Sequence, residues 1–334
     1  MIQGDLRGKY PYNSRRHFLH QLGIAGLTLS LPWTAWGAGK RLDEEIRIGL
    51  ITDLHHDIMH DGLDRMKAFE SAMHRFLPHA VIQMGDFAVP KPENQPLVDL
   101  FHQLPGRSFH ILGNHDTDGG YSPAQCLRQW NLSSSYYREE VAGLTLLVLD
   151  GNESGSPTFK GGYPSFMGEV QVDWLRAQLE DSEGPVLIMS HQPLAGTIAI
   201  DNALEIQQLL TNYNQKIVAA ICGHSHTDQL IRVGGVTYIH LNSASYYWVG
   251  GAFRHQSYPE AIHKSHPWIS STCPYQEVLF AELTLDPKKG KFNLMGRRTA
   301  WVGPSPAEVG LRPFPDALVG EQIHPVIRNR SFYY

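Results

Sequence analysis

The sequence predicts an α/β fold built in layers, with a second sheet packed on the first. Three observations predict it. Between Ile46 and Ile221, short runs rich in Val, Ile and Leu alternate with amphipathic stretches of helical period. Past Leu230 the runs are joined by turns, which adds strands without adding helices. Five of the apolar runs are followed directly by a short polar motif, as expected where strands deliver side chains to one edge of a sheet.

Taken in order, Ile46–Thr52 reads as a buried strand. A helix over Asp61–Phe76 follows, with Leu63, Met66, Phe69 and Met73 on one face. Ala80–Met84, Ser108–Leu112, Leu144–Leu149, Val186–Met189 and Ile217–Ile221 continue the strands. Leu97–Gln103, Ser122–Gln129, Gly168–Leu179 and Asn202–Leu210 supply helices between them. Leu230–Val233 and Val236–Leu241 flank the Gly234-Gly235 turn, and Val278–Leu285 and Lys291–Leu294 flank Asp286–Gly290. No repeat or low-complexity linker interrupts this series, so residues 45–300 read as one domain. Residues 301–334 are Pro-rich, lack periodicity and read as an extension packed on the surface.

Composition excludes several classes. A hydrophobic content of 42% with 18% charged residues does not belong to a disordered chain. The net charge of -5 offers no basic surface for nucleic acid. Three cysteines are too few for a disulfide-built fold and lack thiolate-zinc spacing. The 18 histidines stand out, because imidazole is the commonest metal ligand and titrates nearest neutral pH.

The first residues read as a targeting segment. Ser14-Arg15-Arg16-His17-Phe18-Leu19 precedes the uncharged stretch Gln21–Gly39, with Ala35 and Gly37 as small residues at alternating positions. This resembles a twin-arginine export signal over residues 1–37 and implies the twin-arginine translocation machinery as a partner. The expected location is periplasmic or otherwise extracytoplasmic, with only transient membrane contact; anchoring by an uncleaved N-terminus is the alternative. Cleavage would remove Arg7, Lys9, Arg15, Arg16 and Asp5, leaving a net charge of -8. In an oxidising compartment Cys126 and Cys273 could pair, whereas Cys222 on an apolar strand reads as a buried thiol.

The chemistry lies in the five motifs: Asp53-Leu54-His55, Gly85-Asp86, Gly113-Asn114-His115-Asp116, Ser190-His191-Gln192-Pro193 and Gly223-His224-Ser225-His226. Side chains at i and i+2 leaving a strand point to the same side, so Asp53 and His55 can serve one ion. The rings of His224 and His226 can be sent to two neighbouring ions. A carboxylate such as Asp86 can bridge two cations, and Asn114 offers a neutral oxygen. Mixed nitrogen and oxygen ligation without thiolate suits Mn, Fe, Zn or Co. Each motif alone is common; a lone Asp-x-His or Gly-Asp is usually incidental.

Together and in this order, the motifs resemble the calcineurin-like metallophosphoesterase superfamily, with its D-x-H, GD, GNH[DE], single H and GHxH pattern. The resemblance implies a two-sheet sandwich flanked by helices (α/β/β/α). It implies two divalent metal ions, the first held by Asp53, His55, Asp86 and His226. The second would be held by Asp86 as bridge, with Asn114, His191 and His224. His115 would be the catalytic histidine beside the scissile phosphate, and a hydroxide bridging the two ions would attack phosphorus.

Departures from the pattern narrow the branch. Gly85-Asp86 continues Phe87-Ala88-Val89-Pro90, without the arginine and second aspartate of the protein phosphatases. Val89 stands where purple acid phosphatases carry a ligating tyrosine. The expectation is therefore a single-domain phosphodiesterase-like enzyme acting on a small phosphate ester. A broad-specificity phosphomonoesterase is the alternative, and a non-catalytic metal-binding interaction module a remoter one. His56, Asp57 and Asn152 read either as loop and turn residues or as crevice residues. Tyr246-Tyr247-Trp248 reads as a core plug or a stacking surface, Asp116 as an orienting or capping carboxylate, and His255, His263 and His266 as a loop over the site.

Overall fold

The computed structural model describes residues 45–196, 198–312 and 323–334. The export-signal reading of residues 1–37 lies outside them. Strand β1 (Ile46–Ile51) leads into helix α1 (Gly62–Phe76), β2 (Ala80–Gln83), α2 (Gln95–His102) and β3 (Arg107–His110). After α3 (Pro123–Gln129) come β4 (Tyr137–Val141), β5 (Leu144–Leu149), α4 (Glu169–Asp181), β6 (Val186–Ser190), α5 (Ala203–Asn212) and β7 (Ile217–Cys222). Next are β8 (Gln229–Val233), β9 (Val236–His240), β10 (Tyr246–Trp248), α6 (Glu260–Ser265) and β11 (Thr272–Pro274). Strands β12 (Ala281–Asp286), β13 (Lys291–Met295) and β14 (Arg330–Tyr333) complete the chain.

Among the described residues, two six-stranded sheets form, in the orders β14-β13-β12-β1-β2-β3 and β4-β5-β6-β7-β9-β8. Alternation along the strands explains how they stack. Leu144, Leu146 and Val148 of β5 join Ile46, Ile48 and Leu50 of β1 in one core between the sheets. Leu147 and Leu149 face outward onto α4 and α5 through Leu175, Leu179, Ile206 and Leu210. On the other side, Ile51 and Val81 meet Phe69 and Met73 of α1, Phe101 of α2 and Cys126 of α3. The result is an α/β/β/α sandwich in which central strands are buried on both faces and therefore read as unbroken apolar runs. Each buried Leu or Ile contributes about 1.5–3 kcal/mol.

Two features differ from the sequence expectation. The later strands divide between sheets: β8 and β9 extend the second sheet, β10 and β11 pair in a small two-stranded sheet of their own, and β12 to β14 return to the first. The C-terminal extension is also more than a surface wrap, because β14 pairs antiparallel with β13 from Lys291↔Tyr333 to Leu294↔Arg330. Phe332 stacks on Phe292 at 4.4 Å between ring centroids, which anchors that edge. Among the described residues, no helix is long and apolar enough to cross a membrane.

Candidate active site

Strands β1, β2 and β3 run parallel in one sheet, and β6 and β7 run parallel in the other. All five polar motifs therefore leave carboxyl ends of strands. The convergence is not simple strand alternation, however. Asp53, His55, Asp86, His224 and His226 all have positive φ, between 47° and 64°. They are five of the eight non-glycine residues in that region among the described residues. Left-handed backbone is costly for such side chains and clusters at sites where surrounding structure enforces it. The i and i+2 residues thus reach a common point through alternating left-handed turns, after β1 has already ended at Ile51.

Hydrogen bonds enforce those turns. Asp53 N–H donates to Gly85 O at 3.0 Å, His55 N–H to Asp86 O at 2.9 Å, and Gly223 N–H to His191 O at 3.1 Å. Gly113 is needed because a Cβ there would run into the Asp86 amide and carboxylate. Asp116 is the clamp beneath the loops. Fully buried, it accepts N–H bonds from Gly113 (2.8 Å), Asp86 (3.1 Å), Phe87 (2.7 Å) and Ala88 (3.1 Å). Burial and the neighbouring Asp86 push its pKa up to about 7. With all its bonds coming from backbone donors, the carboxylate form is the one the geometry suits.

The candidate ligands fall into two groups, Asp53–His55–His226 and Asp86–His191–His224. In the first, His226 Nε2 lies 3.1 Å from Asp53 Oδ1 and 3.2 Å from His55 Nε2. In the second, His191 Nε2 lies 3.1 Å from Asp86 Oδ2 and 3.3 Å from His224 Nδ1. Asp86 Oδ2 also faces His55 Nε2 at 3.6 Å, while Oδ1 accepts the His115 N–H at 2.7 Å. A single carboxylate oxygen therefore stands between the groups, because the other is spent on backbone. Asp53 is arranged similarly. Its Oδ2 takes the Thr52 hydroxyl and the His224 N–H, and its buried Oδ1 has no hydrogen-bond partner.

Outer contacts fix the rings. His191 Nδ1 bonds Met84 O and His226 Nδ1 bonds Tyr246 O, both at 2.8 Å, which points each Nε2 into the cluster. Burial pulls His55 down to about 3 and, with His191 nearby, His224 to about 4, so both are neutral donors near pH 7. Burial raises the Asp53 carboxyl, but His226 and His191 pull it further the other way, to about 2. Asn114, assigned to the second group by sequence, is buried with both side-chain polar atoms unpartnered.

His115 sits beside this cluster, 5.2 Å from His55 between ring centroids. It lines a cavity with Asp86, Asp118 and the apolar wall Ile58, Phe87 and Val89. Burial lowers its pKa, but Asp86 and the Asp118 hydrogen bond outweigh that and hold it at about 9. Its Nδ1 lies 2.7 Å from Asp118 Oδ2, and Tyr163 OH lies 2.5 Å from Asp118 Oδ1. Neither Asp118 nor Tyr163 was singled out by sequence. The third position after His115 was a readable signal for Asp118, but nothing local marks Tyr163.

Other sequence candidates mostly take structural places. Asp57 does both: it lines the same cavity, and it accepts from Val89 N–H and Asn94 Nδ2 and pairs with Lys91, bracing the loop after Asp86. Asn152 caps its own turn through Asp150 and bonds Leu112 O. His56 is half-buried, with Nδ1 unpartnered. Tyr246 is a buried plug stacked on His55 at 4.9 Å, whereas Trp248 is exposed beside Trp268. His255, His263 and His266 bond within residues 253–273 and do not line the cavity. Cys222 is the buried free thiol expected, whereas the pairing of Cys126 with Cys273 is corrected: both are also buried and free. Cys126 Sγ instead approaches Asp116 O at 3.3 Å from within the α3 core.

The chain is similar to solved structures. A dimetal phosphatase from Danio rerio superposes with a TM-score of 0.55 at 15% identity, over 77% of this chain and 98% of its own. GAP50, described as the anchor in the inner membrane complex of Plasmodium, gives 0.49 at 14% identity, over 78% of this chain and 85% of its own. No curated protein sequence matches significantly. The sequence profile of the calcineurin-like phosphoesterases matches residues 46–228, more than half of the chain and all five motifs. With that match laid over a sandwich whose strand ends gather these motifs, the chain belongs to the calcineurin-like phosphoesterase family and is a hydrolase of phosphoester bonds.

Proposed function

We propose that the protein is an exported phosphoesterase that uses two divalent metal ions and prefers phosphodiesters to phosphomonoesters. The observation that carries this reading is the paired ligand cluster sharing Asp86, with His115 at its rim. The residues fit two cations. Asp53 Oδ1 and both polar atoms of Asn114 are buried without partners, a cost of roughly 1–3 kcal/mol each unless something binds them. The imidazole nitrogens gathered at 3.2 and 3.3 Å supply donor atoms of the type such ions take. Asp53, His55 and His226 would hold one ion and Asn114, His191 and His224 the other, with Asp86 between. Such a pair acidifies an attacking water and neutralises charge on the phosphoryl oxygens.

The protein's own groups supply the rest. Hydrolysis adds water across the ester P–O bond, hydroxyl to phosphorus and a proton to the departing oxygen. With Nδ1 engaged by Asp118, His115 keeps Nε2 free to give that proton. The apolar wall of Ile58, Phe87 and Val89 suits the uncharged part of an ester. The absence of an arginine clamp after Asp86 favours a diester, which carries one fewer negative charge than a monoester.

The test is metal analysis with hydrolysis of bis-p-nitrophenyl and p-nitrophenyl phosphate by protein purified with Mn. About two metals per chain and faster diester cleavage are expected. Faster monoester cleavage would favour the phosphomonoesterase alternative, and absence of bound metal would remove the binuclear reading. Export rests on the Arg15-Arg16 motif; replacing both with Lys is expected to retain the precursor in the cytoplasm, and normal export would refute that route.

A further inference from the structure

We propose that Asp118 and Tyr163 form a positioning relay for His115, with Asp118 accepting the Nδ1 proton of the ring and Tyr163 bracing Asp118. This rests on the catalytic reading of His115. The contrast with Asp116 supports it. Asp116 is wholly buried and accepts only backbone N–H groups, whereas Asp118 directs both oxygens to ring substituents at the cavity. Its Oδ2 meets His115 Nδ1 at 2.7 Å and its Oδ1 meets Tyr163 OH at 2.5 Å. The tyrosine oxygen is also 3.2 Å from His115 Nδ1, and the two rings are 4.8 Å apart at 59°.

The backbone is shaped for this. Asp118 leaves the short helical turn begun at His115, with extended ψ of 156°, and Gly119 follows at φ 74°. Tyr163 arrives from the segment between β5 and α4, immediately after Gly161 and Gly162 at φ 98° and 89°. A Cβ on either glycine would meet no atom within 4 Å, so their left-handed conformation, and not crowding, accounts for glycine there. Two separate loops thus meet on one imidazole. A carboxylate at Nδ1 fixes the ring rotamer that leaves Nε2 toward the cavity.

The test combines kinetics with a hydrogen-bond readout on zinc-loaded protein. In long-range 1H–15N spectra, with His115→Ala for assignment, the wild-type ring is expected to show a hydrogen-bonded proton at Nδ1, and Asp118→Ala to lose that hydrogen-bond signature. Asp118→Ala is expected to lower kcat for bis-p-nitrophenyl phosphate by about 10–100-fold with KM within about 3-fold. Asp118→Asn should recover part of kcat, because its amide oxygen still accepts from Nδ1, and Tyr163→Phe should cost only a few-fold. In a His115→Ala background, Asp118→Ala should cost nothing more. Wild-type kcat in Asp118→Ala, or an equal loss in both backgrounds, would overturn the relay while leaving His115 in place. Wild-type turnover by His115→Ala would instead overturn the underlying role, and the relay with it.

Discussion

At the scale of single residues, Asp86, Asp116 and Asp118 carry the same side chain but differ in what their oxygens meet. Asp86 keeps one oxygen for the ligand cluster, Asp116 gives both to backbone, and Asp118 faces His115 and Tyr163. Their substitutions should separate accordingly. Asp86→Asn is expected to lose both ions, because an amide cannot supply the charge shared between the groups; elemental analysis showing two metals would refute this. Asp116→Ala strands four backbone donors beneath the site. With roughly 1–3 kcal/mol for each unsatisfied group and some relief from water, a loss of about 3 kcal/mol or more is expected. Asp116→Asn, which keeps one acceptor oxygen, should fall between in thermal denaturation.

At the scale of elements, the loop Gly223–His226 is held from behind by β9. His240 at the end of that strand is buried, receives the Ser225 hydroxyl at Nδ1 (3.0 Å) and donates from Nε2 to Ala195 O (2.8 Å). That pattern uses the neutral ring, and burial holds its pKa down at about 4. The unfolded chain takes up a proton below about 6.5, where the folded ring does not. This contribution to stability is therefore complete above pH 6.5 and is lost as pH falls toward 4, at about 1.4 kcal/mol per pH unit. His240→Gln, which retains a donor for Ala195, should be less stable than wild type at pH 7.5 in urea titrations. The gap should narrow at pH 5.5, and an unchanged gap would exclude His240 as a source of acid sensitivity.

The same elements show what the sequence can reveal. The central strands were legible to within a residue or two, because both faces are buried and apolar runs have no competing pattern. Strand β4 was not, since Arg138-Glu139-Glu140 on a sheet edge reads as loop. Nor was β14, whose residues alternate between partly buried and exposed on the opposite sheet's edge. The motif residues could be placed because they adjoin strands. The left-handed turns that aim them, and Tyr163 crossing from another loop, depend on tertiary hydrogen bonds that no local pattern encodes.

At the scale of the whole molecule, the chain's end secures its catalytic edge. Asp228, two residues beyond His226, is buried and meets Arg328 Nη1 and Arg330 Nη2, each at 2.8 Å. Asn242 at the neighbouring strand end donates to His324 O and Val326 O, so one C-terminal segment spans both sheets. A chain ending at Ile327 would keep the Asn242 contacts but lose both arginines, Phe332 and the β14 pairing. Leaving a buried carboxylate without its cations costs about 3–5 kcal/mol, or roughly 10 °C in Tm for a domain of this size. Because that charge lies beside the Gly223–His226 loop, the truncation is also expected to weaken metal retention. Asp228→Asn in the full-length chain separates the two effects, since it removes the charge while keeping β14. It should be more stable than the truncation and hold its metals better, as calorimetry and elemental analysis can establish; equal losses in both would mean that the ion pairs, and not the added strand, secure the edge.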